Sequence, residues 1–438
     1  MNAKQWFNWH SLTGVWTGLL LFVICWSGTF ATLSNELDWL TNPNIRAQST
    51  QPAQISLADA YDIVAKARPA DKVSFANAPL APGFNYDVVI ETADGQWRHV
   101  YVDPVSGVIA GDNSYFTIQR FFRDFHRVLF GPFNRTFAAY MVFMLALPLL
   151  ISIVSALYLY RHWWRKFFTL SWGRQRRANV ASLHKLVGLW GLWFSLLIAL
   201  TSVWYLYEAL RSDVIDGKVA YMGAGSYAVQ QLPTLNTEQN TVLPLSQLLD
   251  KVLQLRPELQ IRSVWFDNGY LQVNGQAGHV LVRDRANKVY VNPVNGDIVY
   301  NQNASDLSLY WRLSDTADPL HFGDFAGVIS KVIWFVFGLL LSFMALSGSY
   351  MYLKRQLAKR QQLAYGKTLA ALVGGTALML AGSVWAGYRA MLSYGVNGQL
   401  PTMPPATSSF LLGWSLLTIT IVIYWCYRIL TLYRAAVK

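Results

Sequence analysis

The chain of 438 residues is 53% hydrophobic, and its 36 Lys and Arg against 24 Asp and Glu give a formal charge of +12. Its two cysteines, Cys25 and Cys426, lie in separate apolar runs, which excludes a disulfide framework, a zinc site and an iron–sulfur cluster. The basic residues cluster beside apolar runs, as they do in membrane proteins, so the charge does not call for nucleic acid as a partner.

Six stretches are long and apolar enough to cross a lipid bilayer, whose hydrocarbon slab of about 30 Å takes roughly 20 helical residues. They are residues 11–33, 138–160, 186–207, 328–353, 369–391 and 410–432. No small-x-small cleavage pattern follows the first, so it is read as a retained span and not as a removed signal peptide. Cytoplasmic loops collect Lys and Arg. Arg161, Arg165, Lys166, Arg174, Arg176, Arg177 and Lys185 therefore place residues 161–185 inside, and Lys354, Arg355, Lys359, Arg360 and Lys367 do the same for residues 354–368. Segments 34–125 and 208–325 then lie outside, with both termini cytoplasmic. All 24 acids fall between residues 31 and 125 or between 207 and 325, so no predicted span carries a carboxylate. Ion-coupled transporters usually place Asp or Glu within the bundle.

The chain is also internally doubled. His10-Ser11-Leu12-Thr13-Gly14 and His184-Lys185-Leu186-Val187-Gly188 open the first and third apolar runs with the same His-x-x-x-Gly spacing. Val100-Tyr101-Val102-Asp103-Pro104-Val105-Ser106-Gly107 recurs as Val289-Tyr290-Val291-Asn292-Pro293-Val294-Asn295-Gly296, and His126 before the second run matches His321 before the fourth. In the first outer segment Ser56-Leu57-Ala58-Asp59 starts a helix with a capping box, and the helix ends near Arg68-Pro69. Alternating strands follow, with turns at Asp94-Gly95 and Asp103-Pro104-Val105-Ser106-Gly107. The second segment repeats this order, with a helix over residues 246–255, strands around Asn274-Gly275 and the Asn292-to-Gly296 turn. The fold class is a polytopic α-helical membrane protein of six spans with two small outer α+β domains, an internal duplication of span, domain and span.

These pieces carry a family likeness. Trp9-His10 through Ser27-Gly28, Phe125-His126-Arg127, Leu183 through Gly188, Leu320-His321-Phe322-Gly323 with Phe325-Ala326-Gly327, and the two Val-Tyr-Val-[Asp/Asn]-Pro turns stand in order. In that order and spacing the chain resembles the PepSY-associated transmembrane family over residues 5–355 or so. The resemblance implies two PepSY-like domains outside a bacterial inner membrane, b-type haem, and an oxidoreductase activity like that of siderophore and ferric-iron reductases. Spans five and six fall outside it.

Four of the seven histidines sit at span ends, His10 and His184 at the inner boundary and His126 and His321 at the outer. Repeats of two spans each enter the membrane in the same sense, so a pseudo-two-fold along the membrane normal relates them. That axis carries His10 onto His184 and His126 onto His321. Equivalent residues facing each other across an axis in a bundle core are placed to hold one planar cofactor. Imidazole suits iron, and two axial imidazoles make a haem site for electron transfer with no open position for oxygen. The alternative for any single histidine is an interfacial anchor.

Gly14 and Gly188, one turn on, leave room for a flat macrocycle or simply for helix packing. Arg123, Arg127, Lys185 and Lys331 are expected near the sites, to meet anionic propionates. Trp16, Trp26, Trp190 and Trp193 either line a route between the haems or belong to interface belts and core. His162 has no repeat partner and rivals the inner ligands, while His99 and His279 are expected on exposed strand positions. No G-x-G-x-x-G follows a strand, so neither an NAD nor a flavin site is expected. The expected function is that of a diheme b-type protein with bis-His sites at His10 with His184 and at His126 with His321. Membrane quinol or a docked cytoplasmic reductase would supply electrons, and a periplasmic acceptor would take them; ferric siderophore as that acceptor comes from the resemblance alone. The alternatives are a haem-free PepSY binding or regulatory protein and a transporter, the latter disfavoured by spans without carboxylates.

Overall fold

The computed structural model describes residues 2–173, 176–216, 233–235, 241–279, 281–358 and 362–437. Arg174, Lys359, Arg360 and part of the second outer segment before residue 241 lie outside the described residues. In chain order the helices before the first strand are α1 (Ala3–Trp16), α2 (Gly18–Ala31), α3 (Ser34–Thr41) and α4 (Leu57–Ala67). Between the two groups of strands come α5 (Ile118–Val128), α6 (Arg135–Phe143), α7 (Ala146–Leu159), α8 (Arg176–Trp190), α9 (Leu192–Arg211) and α10 (Leu245–Leu255). The chain closes with α11 (Leu309–Phe322), α12 (Gly327–Ala358), α13 (Gln362–Ser393) and α14 (Pro405–Val437).

Among the described residues five helices are long and apolar enough to cross a membrane: Arg135–Leu159, Leu192–Val214, Gly327–Ala358, Tyr365–Ser393 and Pro405–Arg434. The first apolar run is not a straight span but the pair α1 and α2, bent by 65°. At the bend the Thr17 hydroxyl donates to the Thr13 carbonyl at 2.8 Å, and such back-bonding competes with the helix ladder. Gly18 then lies on α12, where a Cβ would come within 2.8 Å of Ser349. The third run breaks at the corresponding place, Gly191, seven residues after His184 as Thr17 is seven after His10. Its membrane-length helix therefore starts later than expected and runs on beyond the expected span, through Glu208 and Asp213. Glu208, only 5% exposed, is tolerated there because the Ser314 hydroxyl donates to it.

The strands are β1 (Lys72–Asn77), β2 (Tyr86–Glu91), β3 (Trp97–Val102), β4 (Ile109–Ser114), β5 (Gln260–Asp267), β6 (Tyr270–Gln276), β7 (Asn287–Val291) and β8 (Ile298–Gln302). The capping box at Ser56 and Asp59 starts α4 as expected, and Asp103 closes its turn by accepting from the Val105 and Ser106 amides at 3.0 and 2.8 Å. Asn274-Gly275 lies inside β6; the β5–β6 turn is Asn268-Gly269, both at positive φ as a tight hairpin requires. The two small outer α+β units adjoin edge to edge. All eight strands form one antiparallel sheet in the order β4-β3-β2-β1-β5-β6-β7-β8, joined where Ala76 faces Val264. Each four-stranded half alone would leave an open edge, and pairing β1 with β5 removes both inner edges.

Strand alternation gives this sheet two different faces. Val88, Ile90, Val100 and Val102 in one half, and Leu271, Val273, Val289 and Val291 in the other, pack beneath α4 and α10. Asp87, His99 and Tyr101 point to the opposite face, which roofs a cavity above the helix bundle. On the flank of the bundle α13 rests on α2 and α12, while α14 rests on α12 and α3.

Candidate functional site: a facing histidine pair and its inner counterpart

His126 rides on α5, whose N-terminus is fixed by Asp38 of α3; the two Asp38 oxygens accept from the Ile118 and Gln119 amides, each at 2.8 Å. Its ring lies against α2 at Gly28, where a Cβ would come within 2.6 Å of His126 Cε1. His321 comes from the last turn of α11, and the Trp334 indole of α12 donates to the adjacent Leu320 carbonyl at 2.9 Å. The two rings face each other with centroids 6.2 Å apart and planes inclined by 40°. Burial lowers the His126 pKa, and burial together with the neighbouring His126 lowers that of His321 to about 4. Both imidazoles are therefore neutral near pH 7, the form that binds metals.

Each ring is anchored through Nδ1. That of His126 donates to the Ile24 carbonyl at 2.9 Å, with Ser27 Oγ at 3.3 Å, and that of His321 donates to Thr201 Oγ1 at 2.8 Å. At the other end of the bundle His10 Nδ1 donates to the Ser152 carbonyl at 2.9 Å, with Ser155 Oγ at 3.3 Å, and His184 Nδ1 donates to Ser347 Oγ at 2.7 Å. Among the described residues no Nε2 of these four has a hydrogen-bond partner. The acceptors stand at equal spacings: Ser27 and Thr201 are each 17 residues beyond His10 and His184, and Ser152 and Ser347 each 26 beyond His126 and His321. These anchoring residues were not singled out from the sequence, although that equal spacing was the signal available.

His10 and His184 both lie along the far end of α12. Arg355 Nη1 donates to Ser11 Oγ at 3.3 Å and stacks over Phe7 at 4.2 Å, while Gly348 faces His184 Cε1. The two rings are close enough that His10, after burial and ahead of Lys185, depresses the His184 pKa, to about 3. On α12 the outer pair is level with Gly338, which packs on Thr29 beside Gly28, and the inner pair with Ser347. Nine residues of helix separate these levels, a rise of about 13 Å.

The outer pair opens into a cavity of 1360 Å³ between sheet and bundle, larger than the about 300–1,000 Å³ usual for one drug-sized ligand. Arg123, Arg127 and Lys331 line it, Lys331 in an ion pair with Glu36 at 2.8 Å. Lys185 sits at the opposite end, over the Tyr160 ring at 5.6 Å. A side chain at Gly14 would meet nothing within 4 Å, whereas one at Gly188 would meet the Met344 methyl at 3.0 Å. Trp16 and Trp190 are 53% and 40% exposed, so they do not line an enclosed route; Trp26 is instead hydrogen-bonded to Thr418 at 2.9 Å. His162 is exposed in the loop before Trp163 and contacts the Trp164 ring. His279 is exposed but follows β6 instead of lying in a strand. The expectation of an exposed His99 is wrong: it is half-buried, paired with Asp87 and lines the cavity.

A bundle of membrane-length helices under an antiparallel sheet, with imidazoles paired where the two meet, defines a polytopic membrane protein with a buried site next to its extramembrane layer. The chain belongs to the PepSY-associated TM region family, whose pattern it matches over residues 7–355. No curated protein matches it.

Proposed function

We propose that the chain is a diheme b-type electron-transfer protein of the bacterial inner membrane. It has six spans, the first four in two repeats, with both termini cytoplasmic and the sheet in the periplasm, and it reduces a periplasmic acceptor, with ferric siderophore iron the leading one. The outer pair carries this reading. Two metal–imidazole bonds of about 2 Å plus half a ring on either side put ring centroids about 6 Å apart, and His126 and His321 stand at 6.2 Å with Nδ1 held and Nε2 unpaired. A bare metal ion needs further ligands, and among the described residues no group of three or more His, Cys, Asp or Glu converges.

A haem bound through two imidazoles supplies one-electron transfer with no open position for oxygen. His126 and His321 would hold the outer haem, with Gly28 keeping α2 close to the ring and with Arg123 and Arg127 beside the site to meet propionates. His10 and His184 have the same donor set and would hold the inner one, near Lys185. The basic inner loops offer a docking face for a cytoplasmic reductase, and membrane quinol is the other donor, because the chain has no dinucleotide motif of its own. The cavity has room for an acceptor beside the outer pair.

The test is the dithionite-reduced spectrum and haem content of the detergent-purified protein. Two b-type haems per chain are expected, one lost in His126→Ala or His321→Ala and the other in His10→Ala or His184→Ala. A colourless protein, or His10→Ala and His126→Ala removing the same spectral component, overturns the reading and leaves a haem-free binding or regulatory protein.

A further inference from the structure

The roof of the cavity carries a pair of titratable groups that haem binding does not use. His99 on β3 donates from Nδ1 to Asp87 Oδ1 on β2 at 2.7 Å, and the other Asp87 oxygen accepts from Asn77 Nδ2 at 3.3 Å. The imidazole stacks on Tyr115 and Tyr101, with centroids at 4.9 and 5.9 Å and planes within 6° of parallel. Its Nε2 has no hydrogen-bond partner among the described residues, and His99 and Asp87 line the same cavity as His126 and His321. A carboxylate on Nδ1 fixes the tautomer and orients the ring, which leaves Nε2 to exchange a proton with whatever occupies the space.

The sheet itself does not need this pair. In the other half Lys288 faces Asn274 as His99 faces Val89, and Tyr290 faces Gln272 as Tyr101 faces Asp87. Lys288 is 1% exposed and does not line the cavity. The same strand framework thus folds without a His–Asp pair, and His99 and Asp87 stand where the sheet lines the cavity, as Lys288 does not.

We propose that His99, oriented by Asp87, is the general acid of the cavity: it protonates an oxygen donor of a ferric chelate as the iron is reduced. This rests on the haem reading above. One electron, which the haem that His126 and His321 would hold would supply, would convert the chelate's Fe³⁺ to Fe²⁺. The Fe–O bond to a hydroxamate-type oxygen breaks with its electron pair left on oxygen, that oxygen takes the proton from His99 Nε2, and His99 recovers a proton from water. Hard oxyanions grip Fe²⁺ less tightly than Fe³⁺, so a proton delivered at that moment competes with the metal and prevents recapture.

The groups facing His99 favour its charged form. Burial opposes the charge, but Asp87 and then Asp38 on α3 outweigh it, with Arg120 on α5 working the other way, so the pKa lies above the ordinary 6.5. The flanking Tyr101 and Tyr115 are pushed upward, chiefly by burial, and stay neutral. The acid form is therefore present below the raised pKa and is lost as pH rises through it.

The experiment follows reoxidation of the pre-reduced protein by two one-electron acceptors, a ferric tris-hydroxamate and hexacyanoferrate(III), which keeps all its ligands and takes no proton. Wild-type oxidation by the hydroxamate should fall as pH rises through the His99 pKa, and His99→Gln should slow it by about 100-fold and flatten the profile. Hexacyanoferrate oxidation should stay unchanged. Binding of the redox-inert gallium(III) tris-hydroxamate, read by tryptophan fluorescence, should also be unchanged, which separates proton delivery from ligand binding. Equal slowing with both oxidants, an unaltered hydroxamate rate, or lost gallium binding overturns the proposal. A wild-type protein without a b-haem spectrum marks failure of the haem reading instead, with gallium binding still measurable.

Discussion

In each histidine pair one ring is anchored to a main-chain carbonyl and the other to a hydroxyl, and this asymmetry makes a sharp prediction for Thr201→Val. Valine keeps the shape of a buried position on α9 but removes the only acceptor among the described residues, at 2.8 Å, for the His321 Nδ1–H. Leaving a buried donor unsatisfied costs about 1–3 kcal/mol, and loss of such an outer-shell partner typically weakens metal binding by about 10–100-fold, or about 1.4–2.7 kcal/mol. The two estimates agree, so outer-haem affinity should fall within that range. Ser27→Ala should do far less, because it removes a contact at 3.3 Å and leaves the Ile24 carbonyl at 2.9 Å in place. By the same logic Ser347→Ala should weaken the inner haem and Ser155→Ala should not. Affinities are read by titrating haem into stripped protein, or by its loss to a haem-scavenging apoprotein. If Ser27→Ala costs as much as Thr201→Val, or Thr201→Val releases the inner haem, the Nδ1 bonds are not what holds the ligands.

Other outcomes follow from the same geometry. In vesicles with reductant on the inner-loop side and an impermeant ferric chelate outside, His10→Ala should keep the outer spectrum yet stop iron reduction; unimpaired reduction would mean that electrons enter at the outer site. Replacing residues 50–112 by a flexible linker should keep both haems, because all four ligands lie elsewhere, but it leaves β5 an open edge, so gel filtration should show self-association. A monomeric product would count against the seam as a stabilising contact. Trp414 of α14 is 5% exposed and packs on Phe121, Phe122 and Phe125 of α5 at 5.0–5.7 Å. Trp414→Ala should cost about 3–5 kcal/mol of packing and lower outer-haem occupancy selectively, and equal loss of both haems would rule out a specific hold on α5.

The membrane helices, the doubled motifs, the turns and the four histidines were legible in the sequence because each is a local signal. A slab without water demands continuous apolar runs, a turn demands glycine or a side-chain acceptor at a set offset, and a repeat shows itself by comparison. What the sequence left open depends on contacts between distant residues. The edge of β1 meets that of β5 through Ala76 and Val264, and nothing in the composition of either strand says which neighbour its free edge will take. The exposure expected for His99 was wrong because strand alternation assigns a residue to a face but not to what covers that face. The bend at Thr17 depends on a seat on Ser349, far along the chain. The helix α13, outside the family pattern, shows a use only in three dimensions: its Ser383 hydroxyl donates to the Leu129 carbonyl at the end of α5 at 2.8 Å, and Tyr394, just after it, accepts from Arg120 at 3.1 Å. Both bonds grip α5, the helix that carries His126. Local periodicity encodes which groups must leave water or lipid, whereas complementarity between surfaces remote in sequence decides which of them meet.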